Sequence, residues 1–250
     1  MAKTMIQAHR GASAYMPENT LEAFRLAADQ GADGVELDVQ LTSDGQVAVA
    51  HDARLERVSD GAGYIGDFTY TALKKLNFGK THADAGENGH IYRLPLLSEV
   101  YELLKPTPLT VNVELKNTER LYPGLPEKCV ALAAEYGMED RVIYSSFNHY
   151  SLLEIQKHAP GARIGLLYDL GLADPWVYAN HLKAYAIHPH YRVIAVLPET
   201  VDLCHKHGVN VNVWTVDDPE TITFMIKCGV DAVITNRPDV AKACRDGVGV

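Results

Sequence analysis

The sequence predicts a (β/α)8 barrel, and three observations carry that expectation. Short apolar runs alternate with helical patterns along almost the whole chain. Eight of those runs read as strands, each followed sooner or later by a helix; repeated βα alternation implies a parallel sheet, and eight units closing on themselves imply a barrel. The length, 250 residues, is that of such a barrel built as one unit. A doubly wound open sheet is the alternative. No Gly-x-Gly-x-x-Gly follows any strand, which weakens a dinucleotide-binding version of it.

The elements follow in order. A strand at 5–8 leads into His9-Arg10-Gly11, and a helix starts from Asn19, read as its N-cap with Glu22 three residues on, and ends at Gly31. The run 35–41 alternates Val35, Leu37, Val39 and Leu41 with Glu36, Asp38 and Gln40. Further strands are expected at 109–115, 142–147, 163–168, 185–187, 209–216 and 232–235. Helices are expected at 97–104, 126–136, 151–158, 175–183, 198–207, 219–228 and 240–245. One stretch breaks the rhythm. Thr42-Ser43-Asp44-Gly45 is a hairpin signal, 46–50 reads as a returning strand ending in His51, and a Gly- and Asp-rich insertion follows over 52–94 with one short helix near 71–76. Ordinary βα loops are about 2–6 residues, so this insertion is expected to cap the site, inside one domain spanning 1–250.

Composition bounds the function. Apolar residues make up 47 % and charged residues 22 %, which excludes a disordered or fibrous chain. A formal charge of −9 disfavours nucleic acid or anionic membrane as a partner held by bulk electrostatics. Cys129, Cys204, Cys228 and Cys244 form no CxxC pair and read as free thiols on helices, as in a reducing compartment. The first residues lack a signal-peptide core, and no stretch approaches the roughly 18 apolar residues of a membrane span. The expectation is a cytoplasmic protein.

Glu36 and Asp38 lie two apart on one strand, so both carboxylates project from the same face, which in a barrel is the interior. Glu114, on Val111-Asn112-Val113-Glu114-Leu115-Lys116, adds a third. Buried ionised acids are costly without partners. A hard divalent cation resolves the cost, and structural ion pairs with Lys116 or Arg10 are the alternative. A two-residue turn at Asp44-Gly45 would set Asp38 opposite His51, making that histidine either a ligand or a proton-transfer group. His9 ends the first strand and would reach the same C-terminal rim, where two histidines suit acid–base work. Arg10 and Lys116 add the fixed positive charge that a phosphate group needs. Trp214 alternates with Asn210 and Asn212 and could wall a substrate at the barrel mouth, as could Phe147; core packing is the alternative for both.

The set His9-Arg10-Gly11, Pro17-Glu18-Asn19-Thr20, Glu36-Leu37-Asp38, His51-Asp52, Glu114-Leu115-Lys116 and Thr235-Asn236-Arg237-Pro238-Asp239 resembles, in order and spacing, the glycerophosphodiester phosphodiesterases. The resemblance runs from about Met5 to Asp239. It implies a distorted TIM barrel with a small insertion after the His-Asp pair. It also implies metal-dependent hydrolysis of glycerophosphodiesters, such as glycerophosphocholine and glycerophosphoethanolamine, to sn-glycerol 3-phosphate and an alcohol. Glu36, Asp38 and Glu114 then match the ligands of one divalent cation, Mg²⁺ or Ca²⁺. His9 and His51 match the acid–base pair, His9 as acid and His51 as base. Arg10 and Lys116 match the positions that hold the phosphate, and Trp214 lies where some relatives place an aromatic against the glycerol. Two rivals remain: a non-catalytic barrel that binds glycerophosphodiesters, and a related enzyme acting on lysophospholipids.

Overall fold

The computed structural model describes residues 3–82 and 89–248. Its strands are β1 (Met5–His9), β2 (Gly34–Leu41), β3 (Val47–Val49), β4 (Thr110–Leu115), β5 (Val142–Ser146), β6 (Arg163–Tyr168), β7 (Ala186–Pro189), β8 (Asn210–Val213) and β9 (Ala232–Thr235). They follow the order β1-β9-β8-β7-β6-β5-β4-β2-β3, and a further β1–β2 pairing closes a ring of eight strands, all parallel. This is the expected (β/α)8 TIM barrel. β3 lies outside the ring as an antiparallel partner of β2.

Alternation builds the two layers. Val35, Leu37 and Val39 on β2 and Val111, Val113 and Leu115 on β4 belong to the main hydrophobic core, together with Phe24, Val100 and Leu104 from surrounding helices. The intervening residues, Glu36, Asp38, Asn112 and Glu114, are buried and polar. They face the barrel interior, because side chains on a strand alternate between its two sides. The helices are α1 (Leu21–Asp29), α2 (Tyr70–Leu73), α3 (Leu97–Leu104), α4 (Leu125–Tyr136), α5 (His149–His158), α6 (Pro175–His181), α7 (Tyr191–Val196), α8 (Glu199–Lys206), α9 (Pro219–Lys227) and α10 (Pro238–Val248). At the end of the barrel where the strands begin, buried Arg245 of α10 donates to the Thr4 carbonyl at 2.9 Å and pairs with Asp33, which also accepts from the Ile6 amide. The last helix is thereby tied to the first strand.

Three sequence expectations need correction. The hairpin pairs Val39 with Val49, Gln40 with Ala48 and Leu41 with Val47, so Asp38 faces Ala50 and not His51. Thr42 and Gln46 flank a three-residue loop, Ser43-Asp44-Gly45, in which Gly45 takes a positive φ of 76°. Such a loop moves the register by one residue from the two-residue turn. The cap of α1 is Thr20, whose hydroxyl accepts from the Ala23 amide. Asn19 instead has φ 58°, and its side chain is engaged with Asp38. A short helix, α7, also precedes the expected one at 198–207; among its residues only Ile194 is buried, so it leaves little periodic signal.

The segment after β3 has a small core of its own, with Leu55, Val58, Ile65, Leu73, Phe78 and Leu94 packed on Ala48 and Ala50. Of the expected insertion, 83–88 lie outside the described residues.

Gly11 turns the chain out of β1 with φ 83°, and a Cβ there would lie 2.6 Å from the carbonyl carbon of Ala23. Gly11→Ala should therefore destabilise the protein by at least about 1–3 kcal/mol, the usual cost of a residue held in an unfavourable backbone region. Urea unfolding measures it. A midpoint equal to that of the unsubstituted protein would mean that the turn is free to shift.

Candidate active site

The β2–β4 register sets Asp38 beside Glu114 and Glu36 beside Asn112. One carboxylate oxygen from each of Glu36, Asp38 and Glu114 then lies within 4.8 Å of the others. Their partners are close. Lys116 Nζ is 2.8 Å from Glu114 and 3.6 Å from Asp38, Arg10 Nε is 3.2 Å from Asp38, and Asn19 donates to Asp38 at 2.9 Å. The Arg10 backbone N–H donates to Glu36 Oε2 at 3.0 Å. The ion pairs that the sequence left open as an alternative thus exist, but two cations face three acids.

The electrostatics record that shortage. Burial pushes Asp38 up, yet Arg10, His51, Lys116 and the Asn19 hydrogen bond outweigh it and hold the carboxyl below the ordinary range. Burial, Asp38 and Glu114 push Glu36 well above that range. Glu114 is raised by burial against the pull of Lys116. Glu36 Oε1 and Asp38 Oδ1 are buried and accept no hydrogen bond. Three converging carboxylates with bare oxygens are the hard donor set that a divalent cation such as Mg²⁺ or Ca²⁺ takes, so the residues fit such an ion.

His9 ends β1 in register with Glu36, with Nε2 3.9 Å from Glu36 Oε2. Its Nδ1 is 2.7 Å from Asn236 Oδ1. Asn236 donates through Nδ2 to Asp217 Oδ2 at 2.6 Å and through its backbone N–H to Oδ1 at 2.8 Å. The carboxylate only accepts, which fixes the amide orientation; His9 Nδ1 must then donate to Asn236, leaving the Nε2 lone pair free. Burial and the adjacent Arg10 push the His9 imidazole down to about 4. His51 reaches the site from the end of the β3 ribbon, and its Nδ1 lies 2.6 Å from Asp52 Oδ1. Burial pushes Asp52 up, but Arg57 and His51 outweigh it and hold this carboxyl at about 2. One histidine is thus backed by a neutral amide and the other by a carboxylate.

His9, Arg10, Glu36, His51, Glu114, Lys116, Phe147 and Trp214 line one cleft, with Asn112 and Ser145 also in its wall. Every site residue read from the sequence meets there except Asp38, which is only 1 % exposed beneath Arg10 and Lys116. Phe147 and Trp214 meet edge to face at 5.4 Å, and Trp214 Nε1 donates to the His188 carbonyl at 2.7 Å. Both aromatics therefore serve the wall, with Trp214 held in one orientation. The sequence reading gave Asn236 no role and missed Asp217. Asp217-Asp218 before a helix looks like capping, and Asp218 does cap α9; nothing in the sequence marks its neighbour as turning back to Asn236.

The model of the Glycerophosphoryl diester phosphodiesterase family matches residues 9–240. A glycerophosphodiester phosphodiesterase of Caldanaerobacter subterraneus is 47 % identical over 95 % of this chain and 96 % of its own, and one from Bacillus altitudinis is 38 % identical over 97 % and 98 %. Among solved structures, an Oleispira antarctica phosphodiesterase in complex with the product sn-glycerol-3-phosphate superimposes with a TM-score of 0.85 at 28 % identity, covering 98 % of this chain and 97 % of that one. A glycerophosphodiester phosphodiesterase from Agrobacterium tumefaciens gives 0.83 at 30 % identity over 96 % and 99 %. With a matching family model over nearly the whole chain and a relative at 47 % identity, this chain belongs to the glycerophosphoryl diester phosphodiesterase family and is a phosphoric diester hydrolase.

Proposed function

We propose that the protein hydrolyses glycerophosphodiesters, among them glycerophosphocholine and glycerophosphoethanolamine, to sn-glycerol 3-phosphate and an alcohol, with one Mg²⁺ or Ca²⁺ held by Glu36, Asp38 and Glu114. The observation that carries this reading is the meeting of two side-chain-anchored histidines, three carboxylates and two cationic groups in one cleft. The product bound to the Oleispira antarctica relative supports the substrate class. The cytoplasm is the proposed location, and the protein needs no membrane to reach such water-soluble diesters. No helix among the described residues is long and apolar enough to cross a bilayer.

When bound, the cation supplies a Lewis acid for a phosphoryl oxygen. The chain's own residues do the rest. Arg10 and Lys116 offset the phosphate charge, Arg10 through a planar fork and Lys116 as a point charge. Phe147 and Trp214 present an apolar wall to the carbon skeleton of the glycerol. A proton leaves the attacking hydroxyl, which belongs to water or to the substrate's own glycerol, and a proton reaches the departing alkoxide as its bond to phosphorus breaks. Surroundings divide these tasks. Neutral His9, whose Nδ1 donates to Asn236 and leaves the Nε2 lone pair free, is suited to take the first proton. His51, held through Nδ1 by the Asp52 carboxylate, is then assigned to give the second. This division reverses the one implied by resemblance alone.

Chelator should abolish turnover of glycerophosphocholine and added Mg²⁺ or Ca²⁺ restore it, while Glu36→Gln, Asp38→Asn and Glu114→Gln each lose most activity. Undiminished turnover in metal-free buffer would end the metal assignment. Binding of glycerol 3-phosphate without any turnover would favour a binding protein, and preference for a lysophospholipid over the soluble diester would favour that rival.

Arg10→Lys keeps the charge but loses the fork, and should lower kcat/KM about 10²-fold, the scale of a small misplacement of substrate. Kinetics matching the unsubstituted enzyme would place Arg10 away from the phosphate.

His9→Ala and His51→Ala should each cost about 10²–10⁴ in rate. On a nitrophenyl ester, whose leaving group needs little protonation, His51→Ala should recover and His9→Ala should not. Recovery of His9→Ala instead would restore the opposite division of roles.

A further inference from the structure

Arg57 lies in the segment after β3, eight residues beyond Val49 and in neither strand nor helix, yet its place is fixed. Leu55 and Val58 on either side of it are buried in the small core, and the Ser59 amide and hydroxyl both donate to the Leu55 carbonyl, at 2.9 and 3.0 Å. From this turn the guanidinium engages two carboxylates at once. Nε donates to Asp52 Oδ2 at 2.7 Å and Nη2 to Asp52 Oδ1 at 2.9 Å; Nη1 donates to Glu18 Oε2 at 2.8 Å and Nη2 to Glu18 Oε1 at 2.8 Å. Each carboxylate passes the constraint on. Asp52 Oδ1 meets His51 Nδ1 at 2.6 Å, and Glu18 Oε1 accepts from Arg10 Nη1 at 2.9 Å. Arg10–Glu18–Arg57–Asp52–His51 is therefore one continuous string, joining side chains that enter the cleft from the end of β1 and from the end of the β3 ribbon.

We propose that Arg57 is a positioning residue of the catalytic site: by clamping Glu18 and Asp52 together it sets Arg10 and His51 in mutual register. The proposal rests on the reading of the cleft as the site of phosphodiester hydrolysis. Exposed ion pairs usually contribute little to stability, so the effect of this one is expected in geometry and not in the folding equilibrium. Bidentate contacts on both sides leave the guanidinium little rotational freedom, and a catalytic imidazole displaced by even about 1 Å costs rate steeply. The segment after β3 then supplies the tie that completes the cleft.

The test compares Arg57→Ala and Arg57→Lys with the unsubstituted enzyme on glycerophosphocholine. Arg57→Ala should lower kcat/KM by about 10–10²-fold, through a lower kcat by way of His51 and a higher KM by way of Arg10, with little change in Tm. Arg57→Lys should recover part of the loss, because an ammonium keeps the charge but cannot meet two carboxylates as a fork. The losses from Arg57→Ala and Asp52→Asn should fall short of additive in the double variant, since both act through His51. Undiminished kcat/KM in Arg57→Ala, additive losses, or a loss that vanishes once the unfolded fraction is accounted for would overturn the proposal. The ¹⁵N resonances of the His51 imidazole report its Nδ1 hydrogen bond without any turnover. If the unsubstituted protein hydrolyses no glycerophosphodiester, the functional reading fails on its own; a shift of those resonances in Arg57→Ala would still support the clamp, and unchanged resonances would refute it.

Discussion

Mutual repulsion among three buried carboxylates is the constraint around which this end of the barrel is organised. Each such group loses hydration worth several kcal/mol when it leaves water, and its neighbours of like sign add to the penalty. Much of the nearby sequence answers that penalty. Arg10 turns its backbone N–H to Glu36 and its guanidinium to Asp38, Lys116 bends back on the strand it ends to reach Glu114, and Asn19 adopts a positive φ to donate to Asp38. The compensation stops short of neutrality, and Glu36 and Glu114 carry the remainder as raised pKa values. A scaffold selected for stability alone would place apolar residues there. The imbalance is consistent with a site built to receive a cation.

The fold was legible because barrel strands impose a period of two, and Glu36, Asp38 and Glu114 stand out against the apolar residues that alternate with them. The same alternation makes the acidic cluster legible from the strands alone. Register was not legible to one residue. Thr42-Ser43-Asp44-Gly45 is compatible with a two- or a three-residue loop, and the choice rests on Gly45 occupying a left-handed conformation that the sequence permits without specifying. Asn19 reads as a cap because Asn in that position usually is one; a tertiary partner, Asp38, takes its side chain and leaves the cap to Thr20. Asp217 meets Asn236 across 19 residues and Arg57 meets Glu18 across 39, and no local pattern encodes such contacts.

Two residues of one type become different tools through what stands behind them. An amide oxygen stands behind Nδ1 of His9, in a ring whose pKa burial pushes down, whereas a carboxylate stands behind Nδ1 of His51. Spacing and motif order describe the two positions in the same terms, so the distinction belongs to the tertiary structure. The backing groups themselves are anchored away from the cleft, Asn236 by Asp217 and Asp52 by Arg57, which limits the freedom of each ring.

The tie between Arg245 and the Thr4 carbonyl has a topological consequence. It ties the last helix to the start of the first strand at the end opposite the cleft, beside the β1–β9 pairing that joins the first and last strands of the ring. The order in which the βα units are threaded is therefore separable from their arrangement in space. A circularly permuted chain, linked across this seam and opened at another connection on the same floor, would present an identical mouth. Handles attached at the seam would orient the molecule with its cleft facing solution.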